Sequence, residues 1–142
     1  MAEAVFLVDI DADRHSIKQA LSTESGIKSW WTTRATVPAN VGEVMTVGFS
    51  EAPAPFQLRV DEASDERVRW TSVGDFPPHW VGTEVVFNLM KNPDKAGTRL
   101  FFEHKGFATA DPMLGHTAFT WANLMHTLKN YSETGTPSPF FP

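Results

Sequence analysis

One imidazole stands out as a group that could do chemistry. In TRLFFEHKG, residues 98–106, every second residue falls on one face of a strand: Thr98, Leu100, Phe102 and His104. An apolar face thus ends in a histidine. A neutral imidazole offers one donor and one acceptor, which suits a ligand carbonyl or hydroxyl. The alternative is a histidine that keeps the fold, bonded to a backbone carbonyl or a neighbouring side chain. Four tryptophans share the same ambiguity. Trp70 alternates inward on a strand, Trp121 sits on the inner face of a helix, and Trp30 and Trp31 follow a short helix and face the open end of the fold. An indole buries a large rigid surface and keeps one N–H to satisfy, so it can wall a cavity or simply fill a core. Trp80 begins a strand beside a Pro-Pro turn, and its spacing favours a plain core role.

The remaining titratable residues do not form a catalytic pattern. There is no Gly-rich phosphate loop, no G-x-S-x-G elbow and no H-E-x-x-H. His116 and His126 are ten apart on a helix and share no face, so they make no metal pair; His15 and His79 fall in surface segments. Glu84 and Glu103 lie on the outer faces of their strands, and Glu43 and Asp75 sit in loops or at strand edges. No catalytic residue, metal site or cofactor is expected.

The elements that must position these groups are a strand, two short helices, a run of strands and one long helix. AVFLVDI, residues 4–10, reads as a strand. DADRHSIKQALS follows, with Asp11 or Asp13 as cap and Ile17, Ala20 and Leu21 as inner stripe, and TESGIKSWW makes a second short helix. GEVMTVGFS turns Met45, Val47 and Phe49 to one side. FQLRVDEA turns Phe56, Leu58 and Val60 inward, and RVRWTSV does the same with Val68, Trp70 and Ser72; the short polar ASDE between them makes a hairpin. A longer hairpin pairs GTEVVFNLM, with Thr83, Val85, Phe87 and Leu89 inward, with TRLFFEHKG, where Phe101 is the one apolar residue on the outer face. In the last segment Asp111 caps a helix, Pro112 takes its first position, and Leu114, Ala118, Trp121, Met125 and Leu128 make one face. Gly135 and Pro137 end it. A sheet with one wet face must cover the other, and only this helix is long enough to do so. The class is therefore α+β: a curved antiparallel sheet wrapped around a long C-terminal helix.

Composition narrows the function. The chain has 142 residues and no cysteine, so disulfides, thiolate metal sites and a cysteine nucleophile are out. Folding at this length removes about 68–70% of the surface from water, enough for one cored domain over 1–142. Net charge is -5 and the basic residues form no stripe, which argues against nucleic acid. No apolar run is long enough to span a membrane, and the N-terminus does not read as a signal peptide; a cytoplasmic protein is expected. Eleven phenylalanines and five tryptophans against one tyrosine give a bulky apolar interior.

Four stretches carry a family resemblance: the tryptophan pair in IKSWW, W-x-G-T-x-V-x-F at Trp80 to Phe87, G-T-x-L-x-F-x-H-x-G at Gly97 to Gly106, and W-x-x-L-x-x-x-L-K at Trp121 to Lys129 with Glu133 and Gly135 after it. In this order they resemble the helix-grip fold of the START-like, or SRPBCC, superfamily (the Bet v-like architecture). Within it they resemble the family named for the activator of the heat-shock-protein ATPase. The co-chaperone of that name also carries a separate N-terminal domain, for which 142 residues leave no room. The resemblance implies three roles. The first is a binding module with an apolar small molecule, lipid- or polyketide-like, between sheet and helix. The second is a cyclase or dehydratase on a hydrophobic substrate, for which His104 would need a second titratable group in the same wet cavity. The third is a co-chaperone acting on a heat-shock ATPase. The ligand-binding residues expected for the first are Trp31, Phe49, Leu58, Trp70, Phe87, Phe102, His104, Trp121 and Met125. Phe140 and Phe141, in the tail PSPFFP, are expected to dock on the domain's own surface, with a homodimer contact as the alternative.

Overall fold

A computed structural model describes residues 1–142. The alternating segments form one seven-stranded antiparallel sheet: β1 (Ala2–Ile10), β2 (Arg34–Thr36), β3 (Val44–Gly48), β4 (Phe56–Ala63), β5 (Arg67–Val73), β6 (Glu84–Lys91) and β7 (Thr98–Phe107). The spatial order is β1-β7-β6-β5-β4-β3-β2, so every strand from β2 to β7 pairs with its sequence neighbour and β1 closes onto β7. The chain has the helix-grip fold: the concave face of this curved sheet holds the long helix α3 (Pro112–Thr134), and two short helices, α1 (Arg14–Ser22) and α2 (Glu24–Trp30), follow β1.

Register decides which side chains meet α3. In the β6–β7 pair Val85 lies opposite His104, Phe87 opposite Phe102 and Leu89 opposite Leu100, and all six are buried. The outer set of β7 is only half buried, Phe101 included, since it lies between Leu7 and Asn88 on the wet face. The three-residue β2 was not legible: RAT has no room to show an alternation.

Local signals set the ends of the helices. Asp13, not Asp11, caps α1 by accepting the Ser16 N–H, and Thr23 caps α2 through the Gly26 N–H. Asp111 accepts from the N–H groups of Met113 and Leu114 at the start of α3, and Gly135 ends it at φ 73°, in the left-handed region where a glycine carries no Cβ penalty. The buried stripe of α3 is Leu114, Thr117, Trp121, Leu124, Met125 and Leu128. Thr117 and Leu124 join the expected face, and Ala118 lies at its margin. The C-terminal turn of α3 is tied to the sheet by Lys129, whose Nζ donates to the Asp9 carbonyl at 2.5 Å and to Glu133 at 2.7 Å; Glu133 in turn accepts the Asp11 N–H.

The tail docks on the chain itself. The Phe141 N–H donates to the Trp31 carbonyl and the Phe141 carbonyl accepts from Thr33, while Ser138 and Phe140 donate to the carbonyls of Ser29 and Trp30. No helix is long and apolar enough to cross a membrane.

Candidate functional site

His104 sits at the centre of the interface between sheet and helix, fully buried. The Trp121 indole N–H donates to its Nδ1 at 3.0 Å. That fixes the proton on Nε2, which donates to Thr83 Oγ1 at 2.8 Å; the Thr83 hydroxyl passes on to the Trp80 carbonyl. Both ring nitrogens are therefore used, and β6–β7 is clasped to α3 through a neutral ring. Burial, reinforced by the neighbouring His79, pushes the imidazole down to about 3 from 6.5. His104 is a structural histidine, and it presents no titratable group to any cavity.

The space around it is filled. Trp31 stacks between Trp30 and Trp70, with ring centres 5.6 and 5.9 Å apart, and lies 5.2 Å from Trp121. Phe87 packs edge-on against Trp70 and Phe102. Interiors packed by interdigitated rings leave no room for a ligand between mid-sheet and mid-helix.

A cavity of about 440 Å³ opens instead at one end of the grip. Four segments build it. The N-terminal half of α3 supplies Met113, His116, Thr117, Thr120, Trp121 and Leu124; the β5–β6 connection supplies Phe76, Pro77, His79 and Trp80. The β3–β4 connection adds Phe49, Glu51, Ala52 and Pro53 and the start of β4 adds Phe56; Trp31 forms the inner wall and the docked Phe141 a side wall. Aromatic contacts hold the walls. Phe56 packs edge-on against Phe49, Phe76 and Trp80, Phe141 does so against Phe49, and Trp80 stacks on Trp121 at 6.1 Å. The Trp80 indole N–H donates to Thr117 Oγ1 at 3.2 Å, fixing the indole against α3.

Of the nine residues expected to bind a ligand, three line this cavity: Trp31, Phe49 and Trp121. Six do not. Phe87, Phe102 and His104 belong to the filled interior, Leu58 and Met125 are core residues, and Trp70 edges only a second, smaller space of about 190 Å³ beside Leu21 and Met45. Strand alternation placed five of the six inward and helical stepping placed Met125, correctly in each case; neither carried information on depth, and the interior closes up before it reaches the mouth. Sequence reasoning missed Trp80, His79 and His116. The missed helical residues did leave a signal: Met113, Thr117, Thr120 and Leu124 step by four, three and four, a second mixed stripe beside the apolar one.

His79 is half buried, and its imidazole is held below the usual histidine range by burial, with Asp111 opposing and His116 adding to the shift. The cavity has no group of three or more residues able to hold a metal, and none exists elsewhere in the chain.

No protein-family model matches the chain, and no curated protein matches its sequence. Solved structures do. The structure of the Aha1 dimer from Colwellia psychrerythraea superposes with a TM-score of 0.85 at 27% identity, covering 95% of this chain and 98% of that one. An AHSA1-like protein from Aeromonas hydrophila gives 0.67 at 15% identity over 92% and 91%. DynU16, from the dynemicin biosynthetic locus, gives 0.77 at 20% identity over 97% of this chain and 49% of that one. The last two similarities speak to the fold.

Proposed function

From the premise that the chain is a helix-grip protein of the START-like superfamily with Aha1-like structural neighbours, we propose that it is a cytoplasmic, single-domain binding module for a small apolar molecule. The ligand sits at the open end of the grip, against Trp31, Phe49, Phe56, Trp80 and Trp121. The observation that carries this reading is the cavity itself. Its volume of about 440 Å³ falls within the range of about 300–1,000 Å³ that small-molecule sites occupy. Seven of its 17 lining residues are Phe or Trp, and ring-to-ring contacts and the Trp80–Thr117 bond brace the walls. Removing roughly 200 Å² of apolar surface from water would contribute about 5 kcal/mol before association costs.

Native mass spectrometry of the protein purified from its own cells tests the proposal. A small-molecule adduct is expected on the natural chain and not on Thr120→Trp, which fills the cavity. Absence of any adduct, together with no saturable quenching of tryptophan fluorescence by naphthalene, would rule the module out.

A second reading adds a protein contact. Val5 and Leu7 are 45% and 63% exposed on the outer face of the edge strand β1, beside the half-buried Phe101. Pairing with a second copy would cover them, in keeping with the dimeric state of the Colwellia protein. A monomeric mass by light scattering at high concentration would discard this reading of a homodimer.

A further inference from the structure

We infer that the ligand's polar end is uncharged, a hydroxyl or carbonyl on an apolar aromatic body, and that His79 and His116 are its hydrogen-bond partners; this rests on the binding-module reading above.

Charge on the walls decides the head group. The cavity has no lysine and no arginine, and Glu51 is its one carboxylate. A carboxylate or phosphate head would lose its hydration without meeting a cation, and would sit in the same cavity as that carboxylate. Fatty-acid-like ligands are thereby disfavoured. The polar groups of the wall are largely committed already. Thr117 accepts from Trp80, Thr120 donates to its own helix at the His116 carbonyl, and the Trp121 N–H is used by His104. The two imidazoles have no hydrogen-bond partner within the chain, and they come from different elements of the wall, His79 from the β5–β6 connection and His116 from the first turns of α3.

The charged and titratable groups near His79 are Asp111 and His116 at the start of α3 and neutral His104, and Glu51 from the β3–β4 connection lines the same cavity. His79 is held neutral near physiological pH, so its ring brings one donor and one acceptor, a match for a hydroxyl or a carbonyl, and no positive charge to pair with an anion. The surrounding Phe and Trp rings favour a flat, aromatic body through offset and edge contacts.

The test uses the full chain and three probes of nearly one shape: naphthalene, naphthol and naphthoate. Each is titrated at neutral pH against tryptophan fluorescence, with His79→Phe/His116→Phe as the paired variant. Naphthol is expected to bind about tenfold more tightly than naphthalene, and naphthoate more weakly than either. The double variant should erase the naphthol advantage and keep naphthalene binding, which also shows that the variant is folded. Equal binding of naphthol and naphthalene by the natural chain would overturn the inference and leave the binding module standing. So would naphthoate binding as tightly as naphthol, or a naphthol preference that survives in the variant. If none of the three binds, the inference falls, and if the natural chain also carries no adduct the module falls with it.

Discussion

Acidifying the protein to about pH 5 should weaken it chiefly through His104. The folded ring is held down to about 3, against 6.5 in an exposed chain, because it is buried with Nδ1 already accepting from Trp121. Below pH 6.5 the unfolded chain therefore binds a proton that the folded chain refuses, and stability falls with pH. The fall approaches about 1.4 kcal/mol per pH unit, and amounts to about 2 kcal/mol between about pH 7.5 and about pH 5. Above pH 6.5 neither state carries the proton and the effect vanishes. The carboxylates with lowered values, such as Asp9 and Glu133, act in the same direction but at more acid pH, as they lose their charge. His79 contributes with the same sign and cancels when natural chain and variant are compared. The assay is urea unfolding at a series of pH values for the natural chain and for His104→Gln. The variant is expected to be less stable at neutral pH and to lose about 2 kcal/mol less on acidification. If both chains lose the same amount, the sealed neutral imidazole is not what the structure makes it out to be.

Three further outcomes follow from single contacts. Trp121→Phe leaves the buried His104 Nδ1 without a donor, whereas Trp70→Phe removes an indole N–H that is buried without any partner; thermal unfolding should rank Trp121→Phe lower by about 1–2 kcal/mol. Gly97→Ala places a methyl carbon 2.4 Å from the Ile10 carbonyl oxygen at a backbone φ of +103°, so urea unfolding should show a loss of about 2 kcal/mol or more. Lys129→Met loses both the Asp9 and the Glu133 bonds of a partly exposed side chain, and a loss of about 1 kcal/mol is expected by the same assay, accompanied by faster amide exchange at Asp11.

The fold was largely written in two periods. Alternation at Thr98, Leu100, Phe102 and His104 and the four-three stepping from Leu114 to Leu128 give a half-wet sheet and the one helix able to cover it, and the structure joins them as that pattern requires. The caps at Asp111 and Gly135 were equally plain, because capping is local chemistry. The site was less legible. Period two says which way Phe87 and Phe102 point, not whether a stacked row of Trp30, Trp31 and Trp70 has already taken the space before them. Trp80 read as a strand-opening core residue, and it is a buried one, yet one edge of it walls the cavity because the β5–β6 connection folds back over α3. His79 and His116 lie 37 positions apart in sequence, and no local pattern could bring them to one mouth. Long-range closure of connections onto a helix is a tertiary event: the α3 side of the cavity shows as a helical stripe, but the loop residues that close over it leave no periodic trace.

The central claim is an apolar site at the open end of the grip rather than in its middle, and the five indole N–H resonances report on it directly. In a proton–nitrogen correlation spectrum titrated with naphthalene, the signals of Trp31, Trp80 and Trp121 should shift saturably, while Trp30 and Trp70, which do not line the cavity, hold their positions. Shifts centred on Trp30 and Trp70, or no saturable shift in any of the five, would contradict it.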